Sequence, residues 1–133
     1  YITEFVHDVE EGNYEDFFIR LQSLFADTPY ELIRDLELHY QNVLFIVSKL
    51  LGFYVQAEYH TSDGRIDLTV QTDKYIYVME FKFDGSAEEA LQQIEEKRYI
   101  LPFAKDNRKI VKAGVNFSSK TRNIEKWLVK EVE

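Results

Sequence analysis

Asp67, Glu80 and Lys82 are the residues of this chain whose types and spacing suit joint chemistry: two carboxylates and a lysine. The chain has no cysteine, which excludes disulfides, zinc–thiolate sites and thiol nucleophiles together. Its three histidines, His7, His39 and His60, fall on separate segments without ligand spacing. No glycine-rich phosphate loop, nucleophile elbow or dinucleotide fingerprint is present. Chemistry must therefore come from carboxylates, lysine, histidine or hydroxyls.

Asp73 and Lys74 read as the two central residues of a tight hairpin, which sets Asp67 opposite Glu80 on the neighbouring strand. Directly opposed residues have Cβ atoms about 4.5–5.5 Å apart. Two such carboxylates can share a divalent cation that takes oxygen ligands at roughly 2.0–2.6 Å. Lys82 lies two residues beyond Glu80 and projects from the same strand face. A lysine there holds and polarises a water molecule at the ion or stabilises charge developing on a phosphate, which is what phosphodiester hydrolysis requires. Ile66, Leu68, Val70, Tyr77, Met79 and Phe81 are expected on the opposite face, as the core layer behind the site. The plainer alternative makes Asp67, Glu80, Lys82 and Arg65 a solvated hairpin face laced by salt bridges. Against it, Ile76 and Val78 share that face, so it is partly buried.

The elements that must position these residues follow from periodicity. A helix is expected from Tyr14 to Ala26, with Asn13 as its cap and Phe17, Leu21, Leu24 and Phe25 as its apolar stripe. A longer helix opens with the capping box Thr28-Pro29-Tyr30-Glu31 and stops at Gly52. Its stripe runs Ile33, Glu37, Tyr40, Leu44, Val47 and Leu51, so Glu37 is either a structurally satisfied carboxylate or a third acidic group at the ion. The period then changes to two, giving strands over 53–61, 65–72 and 75–83. Ser86-Ala87-Glu88-Glu89 is a second capping box, and its helix is expected to reach Tyr99 or Leu101 before Pro102. A fourth strand covers 109–117; residues 123–132 read as a fifth, although Ile124, Trp127 and Leu128 also fit a helix.

A chain of 133 residues with 45% hydrophobic content suits one domain and one core. No stretch approaches the roughly 20 apolar residues of a membrane helix, and a soluble, cytoplasmic protein without membrane partners is expected. The first residue is Tyr1 rather than Met, which suits a piece of a larger protein. The net charge of −8 argues against a general nucleic-acid binder, but the distribution is uneven. Residues 1–96 hold 6 Lys/Arg against 20 Asp/Glu, whereas residues 97–133 hold 10 against 4.

Gly64-Arg65-Ile66-Asp67 followed by Glu80-Phe81-Lys82, on adjacent strands after an acidic helix, resembles the PD-(D/E)XK nuclease superfamily. More narrowly, it resembles the C-terminal nuclease-like domain of bacterial AAA-ATPase-like proteins. The resemblance implies an α/β fold with a mixed central sheet flanked by helices: a restriction-endonuclease-like αβββαβ core over 28–133 behind a helical lead-in over 1–27. It implies Asp67, Glu80 and Phe81 as the metal-binding residues, Lys82 as the catalytic lysine and Glu37 as the acidic residue of the first helix. Gln93, Lys97 and Tyr99 are its substrate-side candidates. The family's Gln-x-x-x-Tyr spacing is not met, because Lys97 stands four residues after Gln93, and Ile66 replaces the motif's proline. The implied activity is Mg²⁺- or Mn²⁺-dependent hydrolysis of DNA in partnership with an ATPase-like domain. The competing reading is an inactive module that binds or regulates that domain.

Overall fold

The computed structural model describes residues 2–27 and 36–132. The element order is α1 (Ile2–Glu11), α2 (Tyr14–Ala26), α3 (Leu36–Leu50), β1 (Tyr54–Thr61), β2 (Gly64–Gln71), β3 (Tyr75–Phe83), α4 (Ala87–Glu96), β4 (Lys109–Ser118) and β5 (Asn123–Glu131). The expected capping box at Thr28 and the stripe residue Ile33 lie outside the described residues. The five strands form one mixed sheet in sequence order. β3 and β4 are parallel, and every other neighbouring pair is antiparallel. A parallel pair cannot be joined by a tight turn, so α4 serves as its crossover.

The helical lead-in over 1–27 holds a separate helix ahead of Tyr14, α1, for which Ile2, Phe5, Val6 and Val9 have helical spacing. It buries Phe5, Asp8 and Val9 and ends at Gly12, whose φ of 75° lets the Asn13 N–H reach back to the Asp8 carbonyl at 2.7 Å. Asn13 is thereby committed to closing α1. Its carbonyl opens α2 by accepting from the Phe17 N–H, but its side chain makes no cap, contrary to expectation. Arg20 on α2 clamps the pair through Asp8 at 2.8 Å and Glu4 at 2.6 Å.

Helices α1 to α3 cover one sheet face. There Phe17, Phe18, Leu21, Phe25, Tyr40 and Leu44 pack on Leu68, Val70, Tyr77, Met79, Phe81, Val111, Val115 and Phe117. Tyr40 stacks flat on Phe117 with ring centroids 4.5 Å apart. The other face is smaller: Ile94 of α4, Tyr99 and Phe103 pack on Ile66, Ile76, Val78 and Ile110. Gly114 of β4 lies directly beneath α4, since a Cβ there would stand 2.5 Å from the Ala87 carbonyl oxygen. β5 is a strand, antiparallel to β4 and held to α2 by Trp127, which stacks on Phe18 and donates to Glu15 at 2.9 Å.

Candidate active site

The hairpin register is as expected through Leu68↔Met79, Thr69↔Val78, Val70↔Tyr77 and Gln71↔Ile76, with the Thr72 N–H closing the turn onto the Tyr75 carbonyl at 2.8 Å. Beyond Leu68 the ladder between β2 and β3 stops, and the site sits where it stops. Backbone groups that lose a strand partner need another. The Phe81 N–H donates to Asp67 Oδ2 at 2.8 Å, and the Asp67 N–H donates to Glu80 Oε1 at 3.2 Å. Each carboxylate thus anchors the other's strand, and the two converge in the gap.

The break also corrects one expectation. Ile66 lies on the α4 side with Ile76 and Val78, while Leu68 and Val70 lie on the aromatic side. On the edge-strand side Glu58 takes a φ of 53°, and the β1–β2 pairing passes from Ala57↔Leu68 to Tyr59↔Ile66 across it. The distortion at Asp67 and Glu58 breaks the simple alternation of faces that a flat strand would give.

Gln93 of α4 joins the remaining pieces. Its Nε2 donates to Glu80 Oε2 at 2.5 Å and to the Tyr99 hydroxyl at 3.3 Å, and its Oε1 accepts from Lys82 Nζ at 2.6 Å. The Tyr99 hydroxyl also accepts from the Arg65 N–H at 3.3 Å. Tyr99 reaches the site because α4 ends earlier than expected. Arg98 adopts a φ of 52°, the Arg98 N–H bonds the Glu95 carbonyl and the Tyr99 N–H bonds the Ile94 carbonyl, a left-handed helix stop that swings Tyr99 back beside Gln93. A six-residue spacing therefore achieves what one helical turn would have done. Gly64 completes the seat, since a Cβ there would stand 2.9 Å from the Tyr99 hydroxyl.

Glu80 is 3% exposed, so the solvated-hairpin alternative does not hold for it. Burial first, and the Asp67 charge second, push its carboxyl up to about 8. Burial also raises Asp67, opposed by the Phe81 N–H. Lys82 and Asp67 are half-buried, and Arg65 is exposed and paired with Glu58 rather than with the site carboxylates. Phe81 reaches the site through its backbone only; its ring is in the aromatic core, 5.8 Å from the Phe117 ring centroid.

Two expected members stand apart. Glu37 is exposed in the first turn of α3, whose buried positions among the described residues are Tyr40, Leu44 and Ser48. Glu37 is thus exposed rather than buried as its place in an apolar stripe had suggested. Lys97 is exposed at the α4 C-cap, and its backbone N–H bonds the Gln93 carbonyl. Among the described residues no cluster of three Asp, Glu, His or Cys side chains surrounds the pair. The site thus offers two carboxylates and no nitrogen or sulfur ligand. That donor set fits a hard cation such as Mg²⁺, which keeps several waters and binds through one or two carboxylates. Sequence reasoning missed the Arg98 stop and the Gly64 seat, for which spacing carries no signal.

Comparison with known proteins adds a family to this geometry. The model of the PD-(D/E)XK nuclease superfamily matches residues 35–127. The chain is also 32% identical over 117 residues to an uncharacterized protein in the vnfD 5′ region of Azotobacter chroococcum mcd 1. That match covers 83% of this chain and 23% of the relative, so the chain spans about a quarter of the relative's length. No solved structure matches.

Proposed function

We propose that this chain, which belongs to the PD-(D/E)XK nuclease superfamily, is a divalent-metal-dependent nuclease that hydrolyses DNA phosphodiester bonds. The observation that supports this best is the convergence of Asp67 and Glu80 in the opened ladder, with Lys82 tied to Glu80 through Gln93. Nucleases of this superfamily generally use divalent metals. Asp67 and Glu80 would hold the cation, here Mg²⁺ or Mn²⁺, which supplies Lewis-acid activation of the phosphate and of the attacking water. Lys82 presents its ammonium to the charge that develops on the phosphate. Gln93 holds Lys82 and Glu80 in one arrangement, and Tyr99 braces Gln93 against the Arg65 backbone. The excess of Lys and Arg over residues 97–133 supports a polyanionic substrate. A longer chain bearing an ATPase-like domain is the context we propose for this module.

The test is plasmid nicking with Mg²⁺ or Mn²⁺. Cleavage that disappears in Asp67→Asn and with EDTA supports the reading. An intact plasmid despite measured cation binding would favour the inactive regulatory module.

A further inference from the structure

Asn116 of β4 is 5% exposed, yet among the described residues its Oδ1 has no hydrogen-bond partner. A buried acceptor left unpaired is destabilising, so its surroundings should contain a donor that arrives in another state. The register sets two lysines beside it: Lys126 of β5, whose exposed ammonium is paired with Glu88 at 3.0 Å, and Lys82 of β3. Asn116 pairs with Lys82 across the parallel β3–β4 ladder. It shares the face of Gly114, two residues earlier, which underlies α4. Phe117, between the faces in sequence, stacks on Tyr40 on the other side. Lys82 points to the same α4 side, where it donates to Gln93. An ammonium has three donors, and that bond uses one.

We infer that Asn116 is a positioning residue for Lys82, its side-chain oxygen taking the Lys82 ammonium whenever Gln93 gives it up. Gln93 is the contested member of the site, since its single amide serves Glu80, Tyr99 and Lys82 together. Any event that draws it toward Glu80 or a substrate would release Lys82. A neighbouring strand offering an acceptor in register then keeps the ammonium in the cleft instead of letting it swing into solvent. This deepens the proposed site and rests on that reading only in giving Lys82 a reacting role.

The experiment follows the Lys82 ammonium signal by NMR in protein labelled with ¹⁵N-lysine, assigned with Lys82→Arg. Gln93→Met, which keeps volume but removes the acceptor, should leave the Lys82 signal protected from solvent exchange. Gln93→Met with Asn116→Ala should abolish it. Loss of the signal in Gln93→Met alone, or persistence in the double variant, overturns the inference. Asn116→Ala alone removes an unpaired group and should leave Tm level or raised; a fall of several degrees would show a structural role instead. If DNA is cleaved, Asn116→Ala should lower kcat about tenfold at unchanged KM and add no loss in a Lys82→Ala background; independent losses would overturn it. A parent protein that leaves DNA intact removes the nuclease reading while the NMR outcome still decides this one.

Discussion

The two faces of the sheet are built on opposite principles. Beneath α1, α2 and α3 the packing is aromatic and aliphatic, with Phe18, Leu21, Phe25, Tyr40 and Leu44 essentially inaccessible to water. Beneath α4, the strand that supplies Ile76 and Val78, β3, continues along the same face into Glu80 and Lys82, and a buried apolar patch turns into a part-buried hydrogen-bonded network. One face holds the sheet rigid; the other gathers two carboxyl groups in a buried setting at a cost the rigid face must cover. The contrast teaches that stability and chemistry are separable here by strand parity, and it can be broken by mutation.

The largest effect on stability should come from the aromatic face. Phe18→Ala removes a fully buried ring that stacks on Trp127 and should cost about 3–5 kcal/mol in urea unfolding. Cation affinity of the remaining folded protein should stay at the parent value; a matching loss of affinity would mean that the faces are not separable. Lys82→Ala should do the reverse. Cation binding by calorimetry is expected to persist while cleavage falls about 10²-fold or more, as when a positioned electrostatic group is removed. Equal cleavage rates would remove Lys82 from the mechanism.

A smaller, signed effect belongs to Glu80. Its carboxyl is raised from 4.5 to about 8, so without metal the native state holds a proton that the unfolded chain releases. Stability from this group is complete below about pH 4.5 and declines as pH rises through about 8. Glu80→Gln should flatten most of that decline and be more stable than the parent above pH 8, measured by thermal unfolding without metal across the range. An unchanged pH profile would show that Glu80 is ordinarily ionised. The smallest effect is expected of Glu37→Gln. An exposed carboxylate outside the converged pair should change stability by no more than about 0.5 kcal/mol and leave cation affinity alone. A clear drop in affinity would restore it as a third acidic group.

Much of this arrangement was legible because short-range geometry determines it. The turn at Asp73-Lys74 set the register that brings Asp67 to Glu80, and Ser86 caps α4 as its capping box promised, accepting from the Glu89 N–H at 3.0 Å. What stayed hidden depends on single backbone departures that no period encodes. Arg98 and Glu58 take positive φ without being glycine, and the first decides that Tyr99 meets Gln93. The side on which Ile66 packs could not be read from alternation either, because the alternation fails where the ladder opens. Glu37 shows the limit of a stripe: helical spacing assigns a face, but whether a given residue on it is buried depends on what packs against it.

Whether Asp67 and Glu80 form one cation site in the gap of the sheet is decided by calorimetric titration with Mn²⁺ at pH 7, repeated in two buffers of different ionisation enthalpy. One ion per chain is expected, with release of a proton on binding because the raised Glu80 carboxyl must ionise, and loss of both signals in Asp67→Asn. Binding that survives Asp67→Asn, or no binding at millimolar Mn²⁺, would contradict it.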